Sequence, residues 1–152
     1  MTLKGKRILL GITGGVAAYK AAALTRLLVR AGADVRVAMT ESATKFIGTA
    51  TMQALSGQPV WTNPWDQRVR NGMVHNELSR DRELIVVAPA TADFMARVVH
   101  GRADDLLAAL CVALLIVGLI HLRQPKRHNS SPAGRANNIV KALTDQEMTR
   151  RV

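Results

Sequence analysis

The chain has 152 residues, 48% of them hydrophobic, which suits one domain with a substantial core. Aromatics are only 3%, so aliphatic side chains must fill that core; the single cysteine, Cys111, excludes an intramolecular disulfide framework and a cysteine metal site, and fits a reducing cytoplasm. The formal charge of +10 attracts polyanions without sequence preference, but no helix-turn-helix, zinc finger or aromatic–basic interleaving points to specific nucleic-acid binding. The charge reads as a solvated surface that suits an anionic ligand, plus a basic tail.

Arg7 to Ile12 is short, aliphatic and closed by glycines, as a buried strand is. Thr13-Gly14-Gly15 follows, and residues 16–31 carry Val16, Tyr19, Ala23, Leu27 and Ala31 at helical steps, with Gly32 as the stop. Asp34 to Met39 reads as a second strand, with Val35 and Val37 alternating with charges. Thr40-Glu41-Ser42 opens a helix to about Phe46, a second helical region covers about Thr51 to Leu55, and Gly57 ends it. Pro59 to Trp61 suggests a short third strand, and residues 62–76 read as a loop. Glu83 to Ala88 is a strong fourth strand, Pro89-Ala90-Thr91 a turn, and Ala92 to Val99 a helix broken by Gly101. A helix restarts over Asp104 to Val112, and Leu114 to Ile120 is expected as a fifth strand. The apolar run Leu106 to Ile120 is shorter than the about 20 residues of a membrane span, and no secretory signal stands at the start. No membrane association is expected.

Strands alternating with helices at this spacing predict a doubly wound α/β domain with a mainly parallel sheet. Such sheets bind ligands beyond the carboxyl ends of their strands. Three turns fall there: Thr13-Gly14-Gly15, Thr40-Glu41-Ser42 and Pro89-Ala90-Thr91. Gly14-Gly15 permits a close backbone approach ahead of a helix whose free N–H groups face a phosphate, though an empty tight turn has the same sequence. The spacing of Gly11, Gly14 and Gly15 is not the dinucleotide fingerprint. Thr40, Ser42 and Thr91 are helix caps or ligand contacts. His75, in the polar stretch Met73 to Glu77, is the candidate for proton transfer, since its ordinary pKa lies near neutrality. Cys111 lies in an apolar helix and reads as a small hydrophobe. Asp104 and Asp105 read as caps, and no metal site is expected. Trp61 and Trp65 are candidates for packing on a neighbouring subunit.

Together the stretches KRILLGITGGVAAYKAAALTRLLVRAGADVRVAMTESATKFI (6–47), MVHNEL (73–78) and ELIVVAPATADFMARVVHGRADDL (83–106) resemble the flavin-dependent cysteine decarboxylases, the HFCD flavoproteins. The nearest branch is phosphopantothenoylcysteine decarboxylase, and the resemblance covers about Leu3 to Ala113. It implies a Rossmann-like flavoprotein fold with flavin mononucleotide (FMN) as cofactor. Gly14, Gly15 and Val16 would lie at the FMN phosphate or ring edge, and Thr40 and Phe46 would help hold the flavin. Ala88, Pro89, Ala90, Thr91 and Ala92 would line its other side, and His75 would stand beside the substrate carboxylate. The implied reaction decarboxylates 4'-phosphopantothenoylcysteine to 4'-phosphopantetheine in coenzyme A biosynthesis. A hydride passes from the cysteine β-carbon to the flavin, the thioaldehyde loses carbon dioxide, and the ene-thiol is then reduced. Peptide-modifying relatives stop at the ene-thiol. The resemblance further implies a cytoplasmic homo-oligomer, a trimer or dodecamer, with FMN near a subunit interface.

The chain lacks two motifs of that family. The Pro-x-Met-Asn-x-x-Met motif, whose asparagine contacts the substrate carboxylate, does not follow LLIVGLI, and the Ala-Cys-Gly-Asp motif, whose cysteine supplies a proton in the reductive half, is missing. The alternative functions are therefore an FMN-binding protein without decarboxylase activity and a peptidyl-cysteine decarboxylase. Residues 1–120 are expected to form the flavin domain, and 121–152 a basic, atypical tail that is a truncated, frame-altered or divergent end of it.

Overall fold

The computed structural model describes residues 3–69, 73–80 and 82–122, with side chains to residue 115. Of the tail expected over 121–152, residues 123–152 lie outside the described residues. The ordered elements are β1 (Arg7–Ile12), α1 (Ala18–Arg30), β2 (Asp34–Met39), α2 (Glu41–Thr44), α3 (Thr49–Ser56), β3 (Val60–Trp61), α4 (Val74–Ser79), β4 (Leu84–Val87), α5 (Ala92–Val99) and α6 (Leu106–Leu122). The strands form one sheet in the order β3-β2-β1-β4. Every pairing is parallel: Ile8 stands opposite Val35 and Leu84, and Val37 opposite Val60. This is the expected doubly wound α/β class, a Rossmann-like flavoprotein fold.

Alternation along the strands creates two cores. Ile8, Leu10 and Ile12 of β1 join Val35, Val37 and Met39 of β2 on one face, covered by Ala18, Ala21 and Leu28 of α1 and Met52 of α3. Leu9 and Ala38 point to the other face, beneath Val74 and Leu78 of α4, Phe94 of α5 and Leu106, Leu107 and Leu110 of α6. A sheet covered on both sides needs strands apolar at every position, which is why β1 carries no polar residue after Arg7. Gly11 lets α6 approach: a Cβ there would stand 2.6 Å from Leu107 Cδ1. Gly32 follows α1 at φ +92°, the left-handed geometry expected of the stop. Two ion pairs tie the amino ends of the strands together, Lys6 to Glu83 at 2.7 Å and Arg82 to Asp34 at 2.9 Å.

Two expectations are corrected. Leu114 to Ile120 is not a fifth strand; it continues α6, which runs unbroken to Leu122. A short all-apolar run has neither helical nor strand periodicity, and here a helix already started propagates through it. That helix starts at Asp105, whose carboxylate accepts the Ala108 N–H at 2.8 Å. Residues 62–76 are not loop throughout either, since His75 lies in the first turn of α4. Only Val74 and Leu78 of that helix are buried, too few apolar positions to display a period. Among the described residues, no helix is long and apolar enough to cross a membrane.

Gly11→Val should overpack the contact between β1 and α6. The expected loss of unfolding free energy is about 1–3 kcal/mol, read as a lower urea midpoint at unchanged slope.

Candidate cofactor crevice

The strand order reverses beside β1. From β1 the chain winds outward through β2 to β3, then returns to place β4 on the other side of β1. The helices that follow β1 and β4 pack on opposite faces, α1 through Ala18 and α5 through Phe94. The carboxyl ends of β1 and β4 therefore diverge into a crevice, the topological switch point at which open parallel sheets bind ligands.

Three turns meet at this crevice. Thr13, only 1% exposed, ends β1 and connects it to the turn after β4. Its Oγ1 donates to the Pro89 carbonyl at 2.6 Å and accepts the Thr91 N–H at 3.0 Å. Gly14 passes so close to the start of α2 that an added Cβ would stand 2.5 Å from both Cβ and Oγ of Ser42. A Cβ on Gly15 would lie 3.5 Å from the Thr91 methyl. The Thr40 N–H bonds the Ile12 carbonyl at 3.0 Å, which brings the end of β2 alongside. The Ala88–Pro89 peptide is cis.

The hydroxyls here have mixed duties. Thr40 caps α2 through the Ala43 N–H at 3.3 Å, and its Oγ1 lies 3.1 Å from Ser42 Oγ. Thr91 caps α5 through the Phe94 N–H at 3.3 Å. The capping readings of both residues therefore hold, and neither excludes a ligand on the remaining lone pairs. No side chain caps α1; the Ala18 N–H bonds the Gly15 carbonyl at 2.8 Å and the Lys20 N–H the Ala17 carbonyl at 3.0 Å. Val16 is 78% and Phe46 49% exposed, apolar surface at the rim of a polar turn cluster.

Gly14, Gly15, Thr40 and Ala88 to Ala92 are thus brought together, with Val16 and Phe46 at the ends of the same turns. Among the described residues no hydrogen bond links His75 to them; its helix is anchored through Val74 and Leu78 against α6. Trp61 is half-buried in its own chain, with the Arg68 guanidinium 4.2 Å from its ring centre, while Trp65 is exposed. Thr13 was not singled out as a site residue from sequence, because its partners are more than seventy residues away along the chain. The only local sign was a hydroxyl just before the glycine pair.

A cavity of about 420 Å³ lies elsewhere, at the β2–β3 edge among Arg36, Gln58, Trp61, Arg68 and Glu77. Its Arg68 is already committed, to Asp66 in an ion pair and to the Val60 carbonyl at 3.1 Å. That pairing holds the Asp66 carboxyl below its usual range, chiefly through the Arg68 hydrogen bonds. The crevice, not this cavity, has convergent turns, a helix start that no side chain caps and the switch-point position.

A parallel α/β sheet with a glycine turn and a Pro-Ala-Thr turn joined at its switch point is the framework of a nucleotide-type cofactor domain. Comparison with known proteins narrows this class: residues 1–119 match the family described as Flavoprotein, and the chain belongs to it. It is 50% identical over 113 residues to the coenzyme A biosynthesis bifunctional protein CoaBC of Escherichia coli strain K12, covering 74% of this chain and 28% of that protein. It is 52% identical over 112 residues to CoaBC of Vibrio vulnificus strain YJ016, again covering 74% of this chain and 28% of the relative. The chain therefore spans little more than a quarter of these relatives. Among solved structures it is similar to the FMN-dependent cysteine decarboxylase SpaF, with TM-score 0.66, 30% identity, and coverage of 71% of this chain and 62% of that one. It is also similar to a PPC decarboxylase variant complexed with pantothenoylaminoethenethiol, with TM-score 0.64, 27% identity, and coverage of 72% and 61%.

Cys111 takes no part in the crevice. Burial in α6, and then the Asp105 charge, push its thiol above the usual range. Less thiolate at a given pH means slower alkylation. Iodoacetamide at pH 8 should label the native protein more slowly than a free thiol, and urea should abolish the difference.

Proposed function

We propose that the crevice binds FMN and that the protein uses it to decarboxylate 4'-phosphopantothenoylcysteine to 4'-phosphopantetheine, a step of coenzyme A biosynthesis. The observation that carries this reading is the junction of the Thr13-Gly14-Gly15 turn with Pro89-Ala90-Thr91 in a chain that is 50% identical over 113 residues to CoaBC. The donor set fits the cofactor. The start of α1, which no side chain caps, suits a phosphate together with the hydroxyls of Thr40 and Ser42. The exposed Val16 and Phe46 offer apolar surface to a flat ring, with Ala88 to Ala92 opposite. When bound, FMN supplies a hydride acceptor for the substrate's cysteine β-carbon. The chain's own part is to hold the ring, exclude water with Val16 and Phe46, and place a proton-transfer group. His75 fills that last role in this proposal, beside the substrate carboxylate.

We infer a homo-oligomer, a trimer or dodecamer in which subunits share a site. The exposed Val16, Tyr19, Met95 and Val99 on and around α1 and α5 supply apolar surface for such contacts. We place the protein in the cytoplasm, where a lone thiol stays reduced.

One observation favours a second reading, FMN binding without turnover: the chain contains neither the Pro-x-Met-Asn-x-x-Met nor the Ala-Cys-Gly-Asp motif. A single experiment separates the two. The protein is purified without added cofactor, its visible spectrum is recorded, and phosphopantothenoylcysteine is added without oxygen. Flavin bands followed by carbon dioxide release support the decarboxylase. Unchanged flavin bands support the second reading, with a cysteine-terminated peptide as the next substrate to try. A colourless protein that takes up no added FMN overturns both.

Two variants sharpen the assignment. Gly14→Val should abolish FMN uptake, because its side chain would occupy the position of Ser42. His75→Asn should keep the flavin spectrum while slowing carbon dioxide release by about a hundredfold or more, the usual range for a lost proton-transfer group.

A further inference from the structure

The crevice contains one buried hydroxyl that capping does not explain. Thr40 and Thr91 each begin a helix, whereas Thr13 ends a strand and caps nothing. Its backbone N–H reaches the Pro89 carbonyl at 3.2 Å and its Oγ1 donates to the same oxygen at 2.6 Å. Both lone pairs of that carbonyl are therefore turned toward the end of β1. The same Oγ1 accepts the Thr91 N–H, so the next donor but one is turned inward as well.

We propose that Thr13 is a positioning residue that aims the Ala90 N–H outward as a hydrogen-bond donor to the edge of the flavin ring. The inference rests on the FMN reading above. The Pro89–Ala90 peptide is trans, Ala88–Pro89 being the cis bond among the described residues. In a trans peptide the carbonyl and the N–H point in opposite directions. With the Pro89 carbonyl held against β1, the Ala90 N–H points away from β1, and Ala90 is exposed. Among the described residues no protein acceptor takes this N–H. Thr13 thus divides two successive amides: that of Thr91 is spent inside the fold, and that of Ala90 is presented. A donor fixed before the ligand arrives needs no reorganisation on binding.

Thr13→Val keeps the shape of the side chain and removes both hydroxyl bonds. Thr13→Ser keeps the bonds. Titration of each apoprotein with FMN and with riboflavin separates the ring from the phosphate. Thr13→Val should weaken both flavins by the same factor, about tenfold, and Thr13→Ser should stay within about twofold of the native protein. Amide exchange at Thr91 should be faster in Thr13→Val before any flavin is added. Ala90→Pro, which removes the presented N–H and leaves Thr13 in place, should reproduce the equal loss of both flavins should Thr13→Val fail to fold. Native-like binding of both flavins by Thr13→Val, or a loss confined to FMN, overturns the role of Thr13 and leaves the FMN reading standing. A native protein that binds neither flavin overturns that reading and this inference with it.

Discussion

The architecture depends on the double burial of β1. It is paired on both sides, to β2 and to β4, and its side chains feed both cores. Every position from Ile8 to Ile12 must therefore be apolar or absent, and Gly11 is the absent one, where Leu107 comes closest. Such a strand cannot shift register, because a slip of one residue would exchange the two cores. Its end is therefore a fixed point, and Thr13 occupies it. Turns attached to a fixed point can converge accurately, which makes the end of β1 the place for a cofactor crevice rather than the β2–β3 edge, where β3 pairs through only two residues.

Much of this was legible in the sequence. The aliphatic runs at Arg7–Ile12 and Leu84–Val87, the stop at Gly32 and the turn before Ala92 all carry local chemistry that allows few alternatives. The crevice turns were legible for the same reason: glycine pairs, hydroxyl caps and a proline each restrict the backbone where they stand. The misreadings share a different cause. LLIVGLI contains no polar residue to set a period, so only the helix already running through α6 decides its state. The α4 segment is short, and two buried residues do not make a pattern.

The duty of Thr13 was illegible for a third reason. A threonine before a glycine pair reads as ordinary turn chemistry. Its partners, Pro89 and Thr91, become neighbours only after β4 has been placed beside β1. Long-range hydrogen bonds of this kind follow from topology rather than from spacing. The position of His75 is a related case: local sequence marks it as a proton carrier, but its place in the fold is set by how α4 packs on α6.

These causes bear on which properties of the protein can be separated. The turns that form the crevice come from the ends of β1, β2 and β4 and the first residues of α1, α2 and α5. All of them precede Leu106, and the departure from the decarboxylase motifs begins after it. The bonds that fix the crevice, from Thr13 to Pro89 and Thr91 and from Thr40 to Ile12 and Ala43, are likewise complete upstream of α6. The part of α6 that supports the sheet beneath them is its first turns, through Leu106, Leu107 and Leu110. The crevice is therefore shaped by the chain up to the first turns of α6. Changes further along the chain can leave it intact, since the bonds and contacts that shape it do not run through that stretch.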